Sequence, residues 1–350
     1  MLVQQAGVTW HDRDRSTPGY TLFSRTQTRD VYLIDMAGEV VRQWETGGGS
    51  THFAYLLPNG NLWVCERSED APQIMAGPGG RMREYDWDGN VVWEHVDPMQ
   101  HHDARRLAKG GAAYVAWERL DDETVKRVKG GVPGTERPDG MLGEVIREVD
   151  EAGKLVWEWR IADLDIERYP LHRNAVRAIY GHCNTLDVLP NDDYLLSFKT
   201  LNLLVILDRK SGAVKWTFQD DDLGGQHDAQ MIEGGNVLVF ANGAYASDIH
   251  FSSVWEIEPE TAEVVWRYKA KRNACSFYSP HISGCQRLAG GNTLICEGAK
   301  GAIFEVTPEC DVVWEYVCPY WGAHPHFGEI NFIFRARRYA ADSPEIRNRI

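Results

Sequence analysis

Residues 263–268 read Glu263-Val264-Val265-Trp266-Arg267-Tyr268, and this phrase returns almost all the way around the chain. It recurs as EVVRQW (39–44), NVVWEH (90–95), KLVWEW (154–159), AVKWTF (213–218) and DVVWEY (311–316). The tryptophans at 44, 93, 157, 216, 266 and 314 are separated by 49, 64, 59, 50 and 48 residues. A period near 50 residues is about one four-stranded blade, so the chain reads as an all-β propeller before any local structure is assigned. Between the tryptophans lie alternating apolar strands bounded by turn pairs such as Asn59-Gly60 and Asp88-Gly89, which suit tight hairpins. The ends are each incomplete. GYTLFSR, DVYLIDMAG and EVVRQW supply three strands at the N-terminus, and HFGEINFIFRARRY supplies one at the C-terminus. Joined, they make a sixth blade by one-plus-three closure, its inner strand at about residues 327–336, and leave no exposed sheet edge. The expectation is one six-bladed domain over residues 1–350.

The formal net charge of −14 argues against nucleic acid or an anionic membrane as partner. It leaves room for a local basic pocket and a small aromatic or anionic substrate. The opening MLVQQAGVTWHDRDR lacks the apolar stretch of a secretory leader, and the seven cysteines contain no C-x-x-C pair. Both point to a reducing, cytoplasmic setting. Two segments break the rhythm. Residues 119–143 are polar and Gly/Pro-punctuated, and read as an exposed loop. Residues 160–181 are too long for a turn, read as a lid or binding loop, and contain NAVRAIY as a short helix.

A second phrase runs in register with the first. A histidine opens the strand after most of the tryptophans: His52, His101-His102, His182, His227, His281, and His324 or His326. Innermost strands line a propeller's channel, so side chains at equivalent strand heads converge on one mouth. His11, His95, His172 and His250 fall outside the register and read as ordinary hydrogen-bonded histidines. Cys183 reads as a small buried side chain, and the tryptophans as repeat packing. Asn184 and Asp228 are polar neighbours suited to fixing a ring tautomer, although strand alternation puts Asp228 on the face opposite His227.

Clustered imidazoles serve two chemistries. One is nucleophilic: a neutral nitrogen attacks an electrophile while other groups move protons and hold the oxyanion. The other is metal binding by three or four neutral rings. Spacing does not separate them, because the residues come from different blades. No H-E-x-x-H, P-loop, G-x-S-x-G or G-x-G-x-x-G motif is present.

His182-Cys183-Asn184-Thr185, continuing through LPNDDYLLSFK and VILDRKSGAVKW, resembles the H-x-N-S…YL-x-S-x-R…ID-x-x-TG-x-x-W signature of the arylsulfotransferases. Gln226-His227-Asp228-Ala229 through VLVFANG is similar to that family's Q-H-D-A…FDNG stretch, and ICEGAKGAIFEVTPECDVVWEY to a late blade. The resemblance implies a six-bladed propeller that passes a sulfuryl group from an aryl sulfate to a phenol through a sulfated histidine, without PAPS. It implies His227 as nucleophile, with His182 and His102 (or His101) as pocket histidines. Lys199 stands where the family motif has a sulfate-gripping arginine. It keeps the charge but not the bidentate fork.

The leading expectation is therefore an arylsulfotransferase-like enzyme without a cofactor. His227, His182, His102 and Lys199 are its catalytic residues, and Asn184, His281, Tyr320 and Trp321 bind substrate. The alternative is a propeller metalloenzyme (lyase, hydrolase or oxidoreductase) holding a transition metal with several of His52, His102, His182, His227, His281 and His326. A non-enzymatic binding scaffold is the third reading.

Overall fold

The structure is a computed structural model and describes residues 5–26, 28–48, 51–72, 74, 77–245, 249–324 and 326–350, without the side chains of 51 and 52. Six antiparallel sheets form the blades of a propeller. Blade 1 is assembled from both ends of the chain: Ile333–Tyr339 is innermost, followed by Tyr20–Arg25, Asp30–Ile34 and Val40–Glu45. The innermost strands of blades 2 to 6 are Thr51–Leu56, Gln100–Arg106, Cys183–Val188, His227–Met231 and Gly284–Arg287. The one-plus-three closure is thus present, with its inner strand starting later than expected. Residues Gly322–His324 and Gly328–Ile330 form a separate hairpin ahead of it. His324 and His326 sit on that hairpin, so the head of blade 1's inner strand carries no histidine.

Middle strands such as Tyr194–Phe198, Leu203–Leu207 and Val237–Ala241 are buried at every position. Each is covered on both faces by neighbouring blades, which is why these segments are continuous apolar runs rather than alternating ones. The outermost strands alternate instead. In Val40–Glu45 both valines face solvent and Trp44 is buried.

The recurring tryptophan has a specific task. The Trp44 indole N–H donates to Trp87 O of blade 2 at 3.2 Å, and Trp93 to Glu151 O of blade 3 at 3.0 Å. Trp216 donates to Pro259 O of blade 5 at 2.9 Å, and Trp266 to Pro308 O of blade 6 at 2.8 Å. Across the closure, Trp314 of blade 6 donates to Met36 O of blade 1 at 3.0 Å. Each ring covers a blade junction and its one polar atom is satisfied by the outer turn of the next blade.

Three segments differ from the sequence reading. Gly7–His11 adds a fifth strand to the outer edge of blade 6, against Val312–Val317. Residues 119–143 are not simply an exposed loop: they hold the helix Asp122–Arg127, N-capped by Asp121, and Leu120, Val128 and Met141 are buried. NAVRAIY is not helical. Strand Leu171–Val176 covers its first three residues and pairs in parallel with Gly130–Val132, so the two insertions hold each other.

Candidate functional site

The strand heads of blades 3 to 6 depart from regular β geometry at one place each. His102 has φ 51°, His182 54°, Asp228 56°, and Ile282 and Ser283 53° and 85°. Left-handed backbone at a non-glycine residue costs on the order of 1–3 kcal/mol and persists only where its surroundings enforce it. In blades 3, 4 and 5 the ladder register also slips at this point. Such bulges re-aim side chains.

The result is an arc of imidazoles over four consecutive blades. His101 Nδ1 lies 2.7 Å from His102 Nδ1, and His102 Nε2 lies 3.2 Å from His182 Nε2. A neutral His102 has one N–H and one lone pair, so it donates to one neighbour and accepts from the other. His101 is also stacked on Trp117 with ring centroids 3.5 Å apart. His182 and His227 act on each other electrostatically, as do His227 and His281.

His227 is the most constrained of them. Its Nδ1 is 2.8 Å from Asn242 Oδ1. Asn242 Nδ2 donates to Ser279 O at 2.8 Å and to Ile282 O at 3.1 Å. Two carbonyls fix which end of the amide carries the NH₂ group. Its oxygen must face His227, Nδ1 must carry the proton, and Nε2 keeps its lone pair. Below the ring, Arg335 of the closing strand is fully buried. It donates to Asp103 Oδ2 at 2.8 Å and Asn184 O at 2.6 Å, and lies 3.4 Å from Asp228 Oδ1. Arg337 grips the same Asp228 carboxylate at 2.6 and 2.9 Å. Asp228, at a left-handed backbone position, thus engages the arginines of the closing strand while His227 bonds Asn242.

Lys199 opens a 3₁₀ turn after the second strand of blade 4, and its backbone N–H donates to His182 O at 3.1 Å. Gly225, at φ +83°, leaves room beside it. A Cβ there would meet Lys199 Cγ at 3.3 Å and Tyr245 Cε2 at 3.5 Å. Tyr245 is stacked on His172 of the 160–181 insertion at 4.8 Å, so that insertion borders the site.

The electrostatics are uniform in sign. Burial, then the Lys199 ammonium, push His182 and His227 well below the ordinary histidine range. The same two causes bring His281 to about 4. Burial lowers Lys199 itself to about 8. His182, His227 and His281 are thus neutral imidazoles in the field of the Lys199 ammonium. Among the described residues Lys199 has no ion-pair partner.

His102, His182, His227 and Lys199 are thus brought together, with His281 at the edge against Phe332 and Phe327. Asn184 is wholly buried and clamps Gln226 O at 2.7 Å, immediately before His227, rather than facing a pocket. Tyr320 stacks on Tyr32 at 4.5 Å and Trp321 is exposed, with no contact to the histidines among the described residues. His326 is exposed on its hairpin. The His52 side chain lies outside the described residues. No group of three or more His, Cys, Asp or Glu among the described residues has the arrangement of a metal centre. Asn242, Trp117, Asp103 and Arg335 were missed. Asp103 had a local signal, since His102-Asp103-Ala104 repeats as His227-Asp228-Ala229, and Asn242 falls beside the strand head because His227 pairs with Phe240.

Family comparison matches two models described as arylsulfotransferase (ASST), one over residues 13–223 and the other over 166–318. No curated protein matches in sequence. Among solved structures, a Bacteroides caccae protein of unknown function is similar at TM-score 0.57 and 13% identity, covering 92% of this chain and 99% of its own. A streptogramin B lyase structure is similar at TM-score 0.52 and 10% identity, covering 95% and 93%. At such identities these likenesses speak for the fold alone.

Proposed function

Because the chain belongs to the arylsulfotransferase family, we propose that it transfers a sulfuryl group from an aryl sulfate to a phenolic acceptor through Nε2 of His227. The observation that carries this reading is the Asn242 clamp, which leaves that nitrogen unprotonated and aimed. In the first half-reaction Nε2 attacks sulfur and the S–O(aryl) bond breaks. In the second, the acceptor oxygen attacks sulfur, the N–S bond breaks, and its electron pair returns to Nε2. Lys199 holds the sulfuryl oxygens as a point charge. The His102–His182 pair supplies an N–H where charge develops, an arrangement typically worth ~10²–10³ in rate. No step requires a metal or PAPS.

The test is intact-protein mass after exposure to p-nitrophenyl sulfate alone. Wild type gains one sulfuryl group, and His227→Asn gains none and turns over no phenol acceptor while keeping its fold by circular dichroism. A wild type that neither forms an adduct nor turns over any aryl sulfate would refute the reading.

A further inference from the structure

The transfer needs a proton carrier, and the described side chains narrow the choice. The departing phenolate must gain a proton and the acceptor phenol must lose one. The imidazoles of His182, His227 and His281 are neutral, so none has a spare proton to give as an acid. Asp228 is held ionised by Arg337 and Arg335 against the opposing effect of burial. Burial raises Tyr245 to about 12, too weak an acid to serve. Glu144, raised well above the ordinary carboxylate range by burial, is pressed against the backbone of residues 181–183, where a Cβ on Gly181 would meet its Oε2 at 2.4 Å. Lys199 stands beside Gly225 and Tyr245, acts on His182, His227 and His281, and has no anionic partner among the described residues.

We propose that Lys199 is the acid and base of the transfer as well as its anion grip. This rests on the sulfuryl-transfer reading. As ammonium, Lys199 gives a proton to the aryl oxygen as the S–O bond breaks, and the phenol leaves neutral. As free amine, it takes the acceptor's proton as the new O–S bond forms and the N–S bond to His227 breaks. One proton goes out and one returns, and no oxidant or further reactant is needed. An arginine at this position grips the anion but does not give up its proton. Burial, which brings Lys199 to about 8, places it between the two tasks.

The experiment is a series of aryl sulfates whose leaving phenols range from an acidic nitrophenol to unsubstituted phenol, with a pKa of ~10. Wild type should depend weakly on leaving-group basicity. In Lys199→Arg the dependence should steepen, adding a loss of ~10²–10⁴ between the ends of the series, as removal of a general acid does. In wild type, the donor half-reaction should slow and the acceptor half-reaction should quicken as pH rises through the range in which Lys199 loses its proton. Lys199→Arg should lose both inflexions. Parallel leaving-group slopes in the two proteins, with sulfuryl transfer intact, would overturn the proton role alone. Absence of transfer by wild type from every donor would overturn it together with the function it rests on.

Discussion

Asn242 decides which nitrogen of His227 reacts, although it never reaches the sulfuryl group. Asn242→Ala should release the ring to either tautomer and leave the Ser279 and Ile282 carbonyls with one donor fewer. We expect kcat to fall by at least ~10², with a stability loss of about 1–3 kcal/mol from the stranded groups. Single-turnover formation of the sulfuryl adduct and urea unfolding measure the two effects separately. The depressed histidines also set the response to acid. A free histidine titrates near ~6.5, but His227 is held well below that by burial and Lys199. The acid limb of activity should therefore lie clearly below pH ~6.5. Stability responds with the same sign. His182, His227 and His281 bind protons more readily when unfolded, so stability is lost as pH falls below their unfolded value of ~6.5. Each contributes a slope of up to about 1.4 kcal/mol per pH unit until its folded value is reached. A flat melting temperature between pH 7 and 5 would contradict this.

The strand Ile333–Tyr339 closes the sheet of blade 1 and also carries the cations under the site. Arg335→Met should leave Asp103 and Asp228 short of a buried partner, at a cost of about 3–5 kcal/mol. Calorimetry should show a melting temperature lowered by about 4–7 degrees; an unchanged one would mean the Arg335 pairs are energetically idle. Sequence patterns revealed this strand's existence but not its task. Arg335 and Asp103 are 232 positions apart, and nothing local to either announces the other. The bulged strand heads were nearly as silent: His and Asp tolerate left-handed backbone better than most residues, but which of them adopts it follows from the surrounding packing. The 322–330 hairpin displaced the last histidines from the register of blade 1, and the described imidazoles form an arc over blades 3 to 6.

At the scale of the whole molecule most of the architecture was legible. The tryptophan period counted the blades, and the incomplete ends gave the closure. The first signal follows a repeated contact, the indole N–H held by the next blade's outer turn, which Trp44, Trp93, Trp216, Trp266 and Trp314 make. The site was legible only as far as it shares that repetition. His182 and His227 stand in register, whereas Asn242, Trp117 and Arg335 each occur once and have no counterpart to expose them. The fifth strand of blade 6 escaped notice for the same reason: Gly7–His11 is an addition to the repeat.

The Trp314–Met36 bond crosses the place where the chain begins and ends, and it is the same bond that Trp44, Trp93, Trp216 and Trp266 make elsewhere. Cyclic order of this kind has no origin. The energy of a junction does not record whether the polypeptide is continuous there, so the position of the termini is an accident of connectivity rather than a requirement of the circle. A permuted gene that starts between two other blades, with the present ends joined by a linker, would encode the same set of junctions.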